Sequence, residues 1–203
     1  WDKLYYVGAD AKESGVLQGE LAAAYLKAHP EADRNQDGVI QYVVLEGEAG
    51  HQDAILRTEY AASTLKERGI ALEKLGYALA NWNRSQAQTQ VQQLLQSYGA
   101  QIELILANND DMALGALDAY RACNIPLPPI FGIDGTEPGL AAVRDQSLTG
   151  TVKNNGIGQA EAMLSLALSL AAGEKSAYTL DRGKYIRIPY EAVSADKDSS
   201  ITA

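Results

Sequence analysis

Asp33, Asn35 and Asp37 occupy alternate positions before Gly38, and Val39 and Gln41 continue the series, so oxygen donors recur every second residue around one glycine. This is the pattern D-x-[DN]-x-[DN]-G of a loop that wraps a calcium ion. Side chains stand at positions one, three and five, Gly38 permits the sharp turn, Val39 offers its carbonyl, and Gln41 takes position nine. The bidentate acid of position twelve is missing, because Val44 falls there inside the apolar run Tyr42-Val43-Val44-Leu45. A metal site here needs a carboxylate from elsewhere in the chain. The same residues also suit an Asx-rich surface turn between a helix and a strand, since Asp, Asn and Gly favour turns without any metal.

A second group is spread more widely. Polar residues follow successive apolar runs: Glu46-Gly47-Glu48-Ala49-Gly50-His51-Gln52-Asp53 with Arg57, then Asn81-Trp82-Asn83, Asn108-Asn109-Asp110-Asp111, Asp134, and Lys153-Asn154-Asn155. Asp, Asn, His and Arg presented together can make bidentate hydrogen bonds to vicinal hydroxyls, and a Trp face can stack on the C–H patch of a pyranose. That is sugar-binding chemistry. Taken singly, each residue has a plainer reading: His51 a helix start, Asp53 an N-cap or the i−4 partner of Arg57, Asn154 a turn former, Trp82 a half-buried aromatic. Only the set points to a ligand.

The elements that must position these groups alternate between short β-rich runs and amphipathic helical segments, the pattern of an α/β protein with a parallel sheet. Strands are expected at Leu4 to Gly8, Gln41 to Glu46, Ala71 to Ala78, Ile102 to Ala107, Pro129 to Ile133, Leu148 to Val152 and Tyr185 to Ile188. Helices are expected at Ser14 to Ala28, Asp53 to Arg68, Ser85 to Tyr98, Asp110 to Ala122, Glu137 to Asp145 and Gly156 to Ala172, several closed by Gly or Pro. In such a fold functional residues gather at the carboxyl ends of strands, where the polar junctions lie.

Composition narrows the function. The chain has 203 residues and a net charge of −9, with 17 scattered basic residues, which argues against nucleic acid. The longest apolar stretch, Ala160 to Ala172, is interrupted by Glu161, Ser165 and Ser169 and is too short for a membrane span. The lone Cys123 rules out an internal disulfide framework and a cysteine-based zinc cluster. No phosphate-binding or nucleophile-elbow motif occurs, and His51 has no nucleophile beside it. Asp53 and Asp134 could be drawn as a glycosidase pair, yet two acids in a polar cleft equally describe hydroxyl acceptors. The expectation is a binding protein, not an enzyme.

The residues resemble a known family, the periplasmic glucose/galactose-binding proteins of ABC importers and chemotaxis, which are type I periplasmic binding proteins. The resemblance runs nearly end to end: Tyr5-Tyr6-Val7-Gly8-Ala9-Asp10 with Lys12-Glu13-Ser14-Gly15, the calcium loop, Gly47-Glu48-Ala49-Gly50-His51 with Asp53 and Arg57, and Trp82. It continues through Ala107-Asn108-Asn109-Asp110, Phe131-Gly132-Ile133-Asp134, Gly150-Thr151-Val152-Lys153-Asn154 and Arg187-Ile188-Pro189-Tyr190. It implies sugar contacts at His51, Asp53, Arg57, Trp82, Asn109, Asp134 and Asn154. It also implies a calcium shell of Asp33, Asn35, Asp37, the Val39 carbonyl, Gln41 and both carboxylate oxygens of Glu103, which would supply the missing acid. Trp82 would stack on the pyranose, Asp134 and Asn109 take vicinal hydroxyls, and Asp53 stand near the hydroxyl that separates glucose from galactose.

The implied fold is a doubly wound parallel α/β sheet. Because the family's chain begins roughly 100 residues earlier, about one domain's length, the expectation is a complete carboxyl-terminal lobe plus remnants of the amino-terminal lobe. The division would be residues 1–9 an amino-lobe strand, 10–152 the sugar-binding lobe with the calcium loop, 153–188 an amino-lobe helix and strand, and 189–203 hinge and carboxyl-lobe tail. On this reading Ala162, Met163, Leu166, Ala167 and Leu170 form an exposed apolar stripe. The implied function is non-catalytic binding of D-glucose or D-galactose in the periplasm or outside the cell, lipid-anchored in some full-length members. Its partners would be a membrane permease and, in chemotactic members, a chemoreceptor. The alternative is the sugar-sensing domain of a transcription regulator, which shares the fold but normally carries an amino-terminal helix-turn-helix that is not visible here.

Overall fold

The computed structural model describes residues 4–194. In chain order the elements are β1 (Tyr6–Gly8), α1 (Ala11–Ala28), a 3-10 turn (Pro30–Ala32), β2 (Ile40–Glu46), α2 (Gln52–Glu67), β3 (Leu72–Leu79) and α3 (Arg84–Tyr98). A second 3-10 turn (Gly99–Gln101) leads to β4 (Leu104–Ala107), α4 (Asp110–Cys123), β5 (Ile130–Asp134), α5 (Glu137–Arg144), β6 (Gly150–Lys153), α6 (Gly156–Ala172), β7 (Tyr185–Arg187) and β8 (Glu191–Ser194).

Six strands form one sheet in the order β3-β2-β4-β5-β6-β8. All neighbours are parallel except β8, which runs antiparallel to β6. The central strands β2 and β4 are buried almost throughout and mostly apolar because both their faces are covered, and the two-residue period of a strand sorts their apolar side chains between two cores. Val43, Leu45 and Ile105 pack with Val91, Met112, Leu117 and Tyr120 from α3 and α4. Tyr42, Val44, Leu104 and Leu106 pack with Leu21, Leu26 and Leu65 from α1 and α2. Helices therefore cover both faces, the doubly wound arrangement expected. The four residues of β8 were not expected as a strand. Four residues after Pro189, beginning on a charged side chain, carry too little apolar periodicity to signal an edge strand.

β1 and β7 stand apart as a parallel pair, Tyr6 opposite Tyr185 and Gly8 opposite Arg187. One face of this pair carries Val7, Ile186 and Ile188, and α6 lies across it with Ala162 and Leu166 fully enclosed. This corrects the expected apolar stripe: two of its five members are buried, because two strands suffice to cover one line of a helix. Met163, Ala167 and Leu170 remain exposed, joined by Leu164 and Leu168.

The caps tie this architecture to its polar junctions. His51, Asn83, Asn109 and Thr136 cap α2, α3, α4 and α5 with their side chains. All four helix amino termini thus point to the carboxyl edge of the six-stranded sheet, where their unpaired N–H groups and dipoles favour electron-rich oxygen.

Candidate functional site

At that edge the centre is Arg57. Its guanidinium is enclosed, the residue being 5% exposed, whereas every other Lys and Arg among the described residues is exposed or half-buried. Nη1 donates to the Asn108 carbonyl at 2.7 Å and to Asp134 Oδ1 at 3.2 Å. Nη2 donates to the Tyr190 hydroxyl at 3.3 Å and lies 3.8 Å from Asp53 Oδ2 one helical turn away. A buried cation held by a carboxylate, a carbonyl and a phenol has little freedom, so its remaining edge is pre-aimed.

Trp82 lies over it, the guanidinium carbon 5.8 Å from the ring centre. Asn81 and Trp82 both adopt left-handed backbone, φ 50° and 62°, a sharp turn after β3 that brings the indole back over the sheet edge. Gly47 is the floor beneath it: a Cβ there would sit 2.1 Å from the indole, so only glycine fits. His51 meets the same ring edge-on at 5.2 Å. Its Nδ1 accepts the Asp53 N–H at 3.1 Å as the cap of α2, which leaves Nε2 carrying the proton and free to donate outward.

Asn109 is more committed than its type suggests. Its Oδ1 accepts the Met112 N–H as a cap, and its Nδ2 donates to the Trp82 carbonyl at 3.4 Å. Asn154 donates its main-chain N–H to the Asp134 carbonyl and accepts from Gln159 through Oδ1. Asp134 has φ 114°. Burial pushes its carboxyl up to about 6 despite the lowering pull of Arg57. Asp53 also borders a cleft of about 230 Å³ toward the small sheet, shared with Tyr6, Asp10, Tyr185 and Arg187.

The structure therefore brings all seven expected residues to one edge, around Arg57 and Trp82. Sequence reasoning left three others out. Tyr190, 133 positions from Arg57, was noted only within the run Arg187-Ile188-Pro189-Tyr190, and nothing there marked it as a partner of Arg57. Asn108, whose Oδ1 accepts the Gly47 N–H, and the enclosed Asp110 lay within a polar run already noted, but nothing in sequence separates a bracing Asx from a contacting one.

The 33–41 loop lies at the opposite edge. Glu103, 1% exposed, reaches it from 62 to 69 positions away: Oε1 accepts the Arg34 and Asn35 N–H groups at 2.7 and 3.3 Å, and Oε2 accepts that of Gln41 at 3.1 Å. Asp33 accepts the Asp37 and Gly38 N–H groups, and Asp37 Oδ2 accepts from Asn35 Nδ2 and Gln41 Nε2, both at 2.9 Å. Among the described residues no three His, Cys, Asp or Glu side chains converge enough to hold a metal by themselves. A cation here would need amide and main-chain oxygens as well. The donor set, all oxygen and of mixed charge, fits calcium: turning the Asn35 and Gln41 amides over would aim their oxygens where their N–H groups now meet Asp37.

Known proteins resemble this chain along most of its length. The D-galactose/methyl-galactoside binding periplasmic protein MglB of Haemophilus influenzae is 41% identical over 203 residues, covering 98% of this chain and 60% of that protein. The xylitol-binding protein of Mycolicibacterium smegmatis is 35% identical over 159 residues, covering 78% of this chain and 45% of that protein. A Bacillus halodurans ABC transporter solute binding protein with bound myo-inositol superimposes with TM-score 0.76 at 30% identity, covering 94% of this chain and 60% of that one. The chain thus spans 60% or less of the length of these relatives. A family model described as periplasmic binding protein domain matches residues 1–175, so the chain belongs to the periplasmic binding protein family.

Proposed function

We propose that this chain supplies the sugar-contacting lobe of a non-catalytic periplasmic protein that binds D-galactose or D-glucose and hands it to the membrane permease of an ABC importer, with a chemoreceptor as a second partner. The observation that carries this reading is the enclosed Arg57 guanidinium fixed between Asp134, the Asn108 carbonyl and Tyr190 beneath the Trp82 ring. A rigid donor beside an aromatic face is what a pyranose, with hydroxyls at its rim and C–H bonds on its faces, can use. Trp82 stacks on the ring, Asp134 and Asn109 take vicinal hydroxyls, His51 and Asn154 donate from the rim, and Asp53 stands at the hydroxyl that distinguishes the two hexoses. Galactose, xylitol and myo-inositol, named for two relatives and bound in a third, all carry vicinal hydroxyls, which supports this reading. The galactose relative, being the most identical of the three, favours hexose.

In this reading residues 10–152 and 189–194 form the sugar lobe, and 4–9 with 153–188 belong to the lobe that faces it; the expected extensions to residues 1–3 and 195–203 lie outside the described residues. Asp33, Asn35, Asp37, the Val39 carbonyl, Gln41 and Glu103 would hold a calcium ion, which would offset the loop's acids and fasten it to the start of β4. Isothermal titration with D-galactose, D-glucose, D-ribose, xylitol and myo-inositol tests the proposal. The hexoses bind in preference, and more weakly than in relatives of full length, because closure around a ligand draws contacts from two walls. A preference for ribose or either polyol overturns the hexose assignment.

A further inference from the structure

Asp110 heads α4 with its side chain wholly enclosed, 0% exposed, and no cation pairs with it among the described residues. Oδ1 accepts the Thr151 hydroxyl at 2.5 Å, and Oδ2 accepts the Thr136 N–H at 2.7 Å and its hydroxyl at 3.2 Å. Every partner is a donor, the set that suits an anion. The surroundings are shaped to it: a Cβ at Gly132 would lie 2.3 Å from Oδ1, and one at Gly139 2.2 Å from Oδ2. Strands β5 and β6 and helix α5 thus close on one carboxylate. The turn it grips, 135–136, directly follows Asp134, whose φ of 114° is strained for any residue but glycine and must be held by its surroundings.

We infer that Asp110 is a positioning residue of the ligand site, gripping the turn after Asp134 so that this carboxylate keeps its strained pose against Arg57. The inference rests on the reading of Asp134 as a ligand contact. Asp110 reaches Asp134 by charge as well as by geometry. The groups that face Asp134 are Arg57 from α2, Asp110 and Asp111 from α4, and Tyr190 before β8; the two acids oppose its ionisation and Arg57 favours it.

The test needs no ligand for its first arm. In Asp110→Asn the Asp134 carboxyl, followed by carbon NMR, titrates at lower pH than in the parent, and the amide resonances of residues 134–136 move. Thr151→Val, which loosens the grip but keeps the charge, moves those amides without lowering the Asp134 midpoint. In the second arm, NMR titration with D-galactose at pH 7.5 shows roughly tenfold weaker binding in both variants, the worth of a hydrogen bond to a charged group. An unmoved Asp134 midpoint and unmoved 134–136 amides in a folded Asp110→Asn overturn the inference. If Asp110→Asn does not fold, unmoved amides in Thr151→Val do so. Asp134→Asn separates the two readings: if it leaves galactose affinity intact, the site reading fails, whatever the first arm shows.

Discussion

The loop at 33–41 and the cluster around Arg57 both gather oxygen-rich side chains at an edge of the same sheet, but at opposite edges and by opposite means. The loop is local. Most of its side-chain bonds join residues two to six positions apart, with Glu103, Glu73 and the Leu127 carbonyl as partners from outside. The cluster is held mainly by remote links, Arg57 donating to partners 51, 77 and 133 positions away, with Asp53 one helical turn off as its local neighbour. β2, about 20 Å long at roughly 3.3 Å per residue, separates them. A local loop can be loosened without disturbing the sheet, whereas a cluster made of remote partners shares its stability with the whole fold.

The largest effect should therefore come at Arg57. Arg57→Met removes the one cation among Asp134, the Asn108 carbonyl and Tyr190, leaving a part-buried carboxylate uncompensated. The cost is about 3 kcal/mol, in the range for breaking a buried pair. Urea unfolding should show it, together with loss of galactose binding. An unchanged urea midpoint would break the comparison, because the cluster would then not be joined to the fold.

Glu103→Gln should cost less, about 2 kcal/mol, since one enclosed carboxylate that accepts three main-chain N–H groups becomes an amide able to satisfy fewer of them. It should also abolish any rise in melting temperature on adding calcium, while leaving galactose affinity unchanged. Calcium-dependent melting that survives this substitution would remove Glu103 from the proposed shell. Trp82→Ala sharpens the contrast from the other side. It loses a stacking face worth about 1 kcal/mol of ligand affinity, with calcium response intact, and equal galactose affinity in the variant would end the stacking role.

The same contrast explains what could be read from sequence. The loop was legible because its donors repeat every second residue around Gly38. The helices were legible because Gly and Pro close them and their apolar faces repeat. The partnership of Arg57 with Tyr190 was not, since it depends on β8 folding back antiparallel beside β6, and the strand itself is four residues long. Nor was the burial of Ala162 and Leu166, because helical periodicity gives a face without saying which neighbour covers it. His51 was read as a contact or a helix start and Asn109 as a contact; both also cap helices, α4 beginning at the expected Asp110 and α2 one residue before the expected Asp53.

The smallest expected effect is a matter of pH, and it has opposite signs for stability and for binding. The Asp134 carboxyl is pushed from an ordinary 3.8 up to about 6, by burial first, then partly restored by Arg57 and raised again by Asp110 and Asp111. Below about 4 the group is protonated folded or unfolded. Between there and about 6 the unfolded chain gives up its proton while the folded chain keeps it, so the stability this residue contributes is fully present at low pH and is lost as pH rises through about 6. Ligand affinity runs the other way, since an ionised carboxylate accepts hydroxyl protons better than a neutral acid, and falls as pH falls through the same value. Melting temperature and galactose affinity of the parent minus those of Asp134→Asn, measured from pH 4.5 to 7.5, isolate both trends. At the loop, the Val39 N–H holds the Asp37 carboxyl below its ordinary value, so that group stays ionised across the window. Calcium affinity should therefore be flat where galactose affinity is sloped. Parallel slopes for the two ligands would mean that loop and cluster answer to one common titration, and the independence argued from their bonding would be lost.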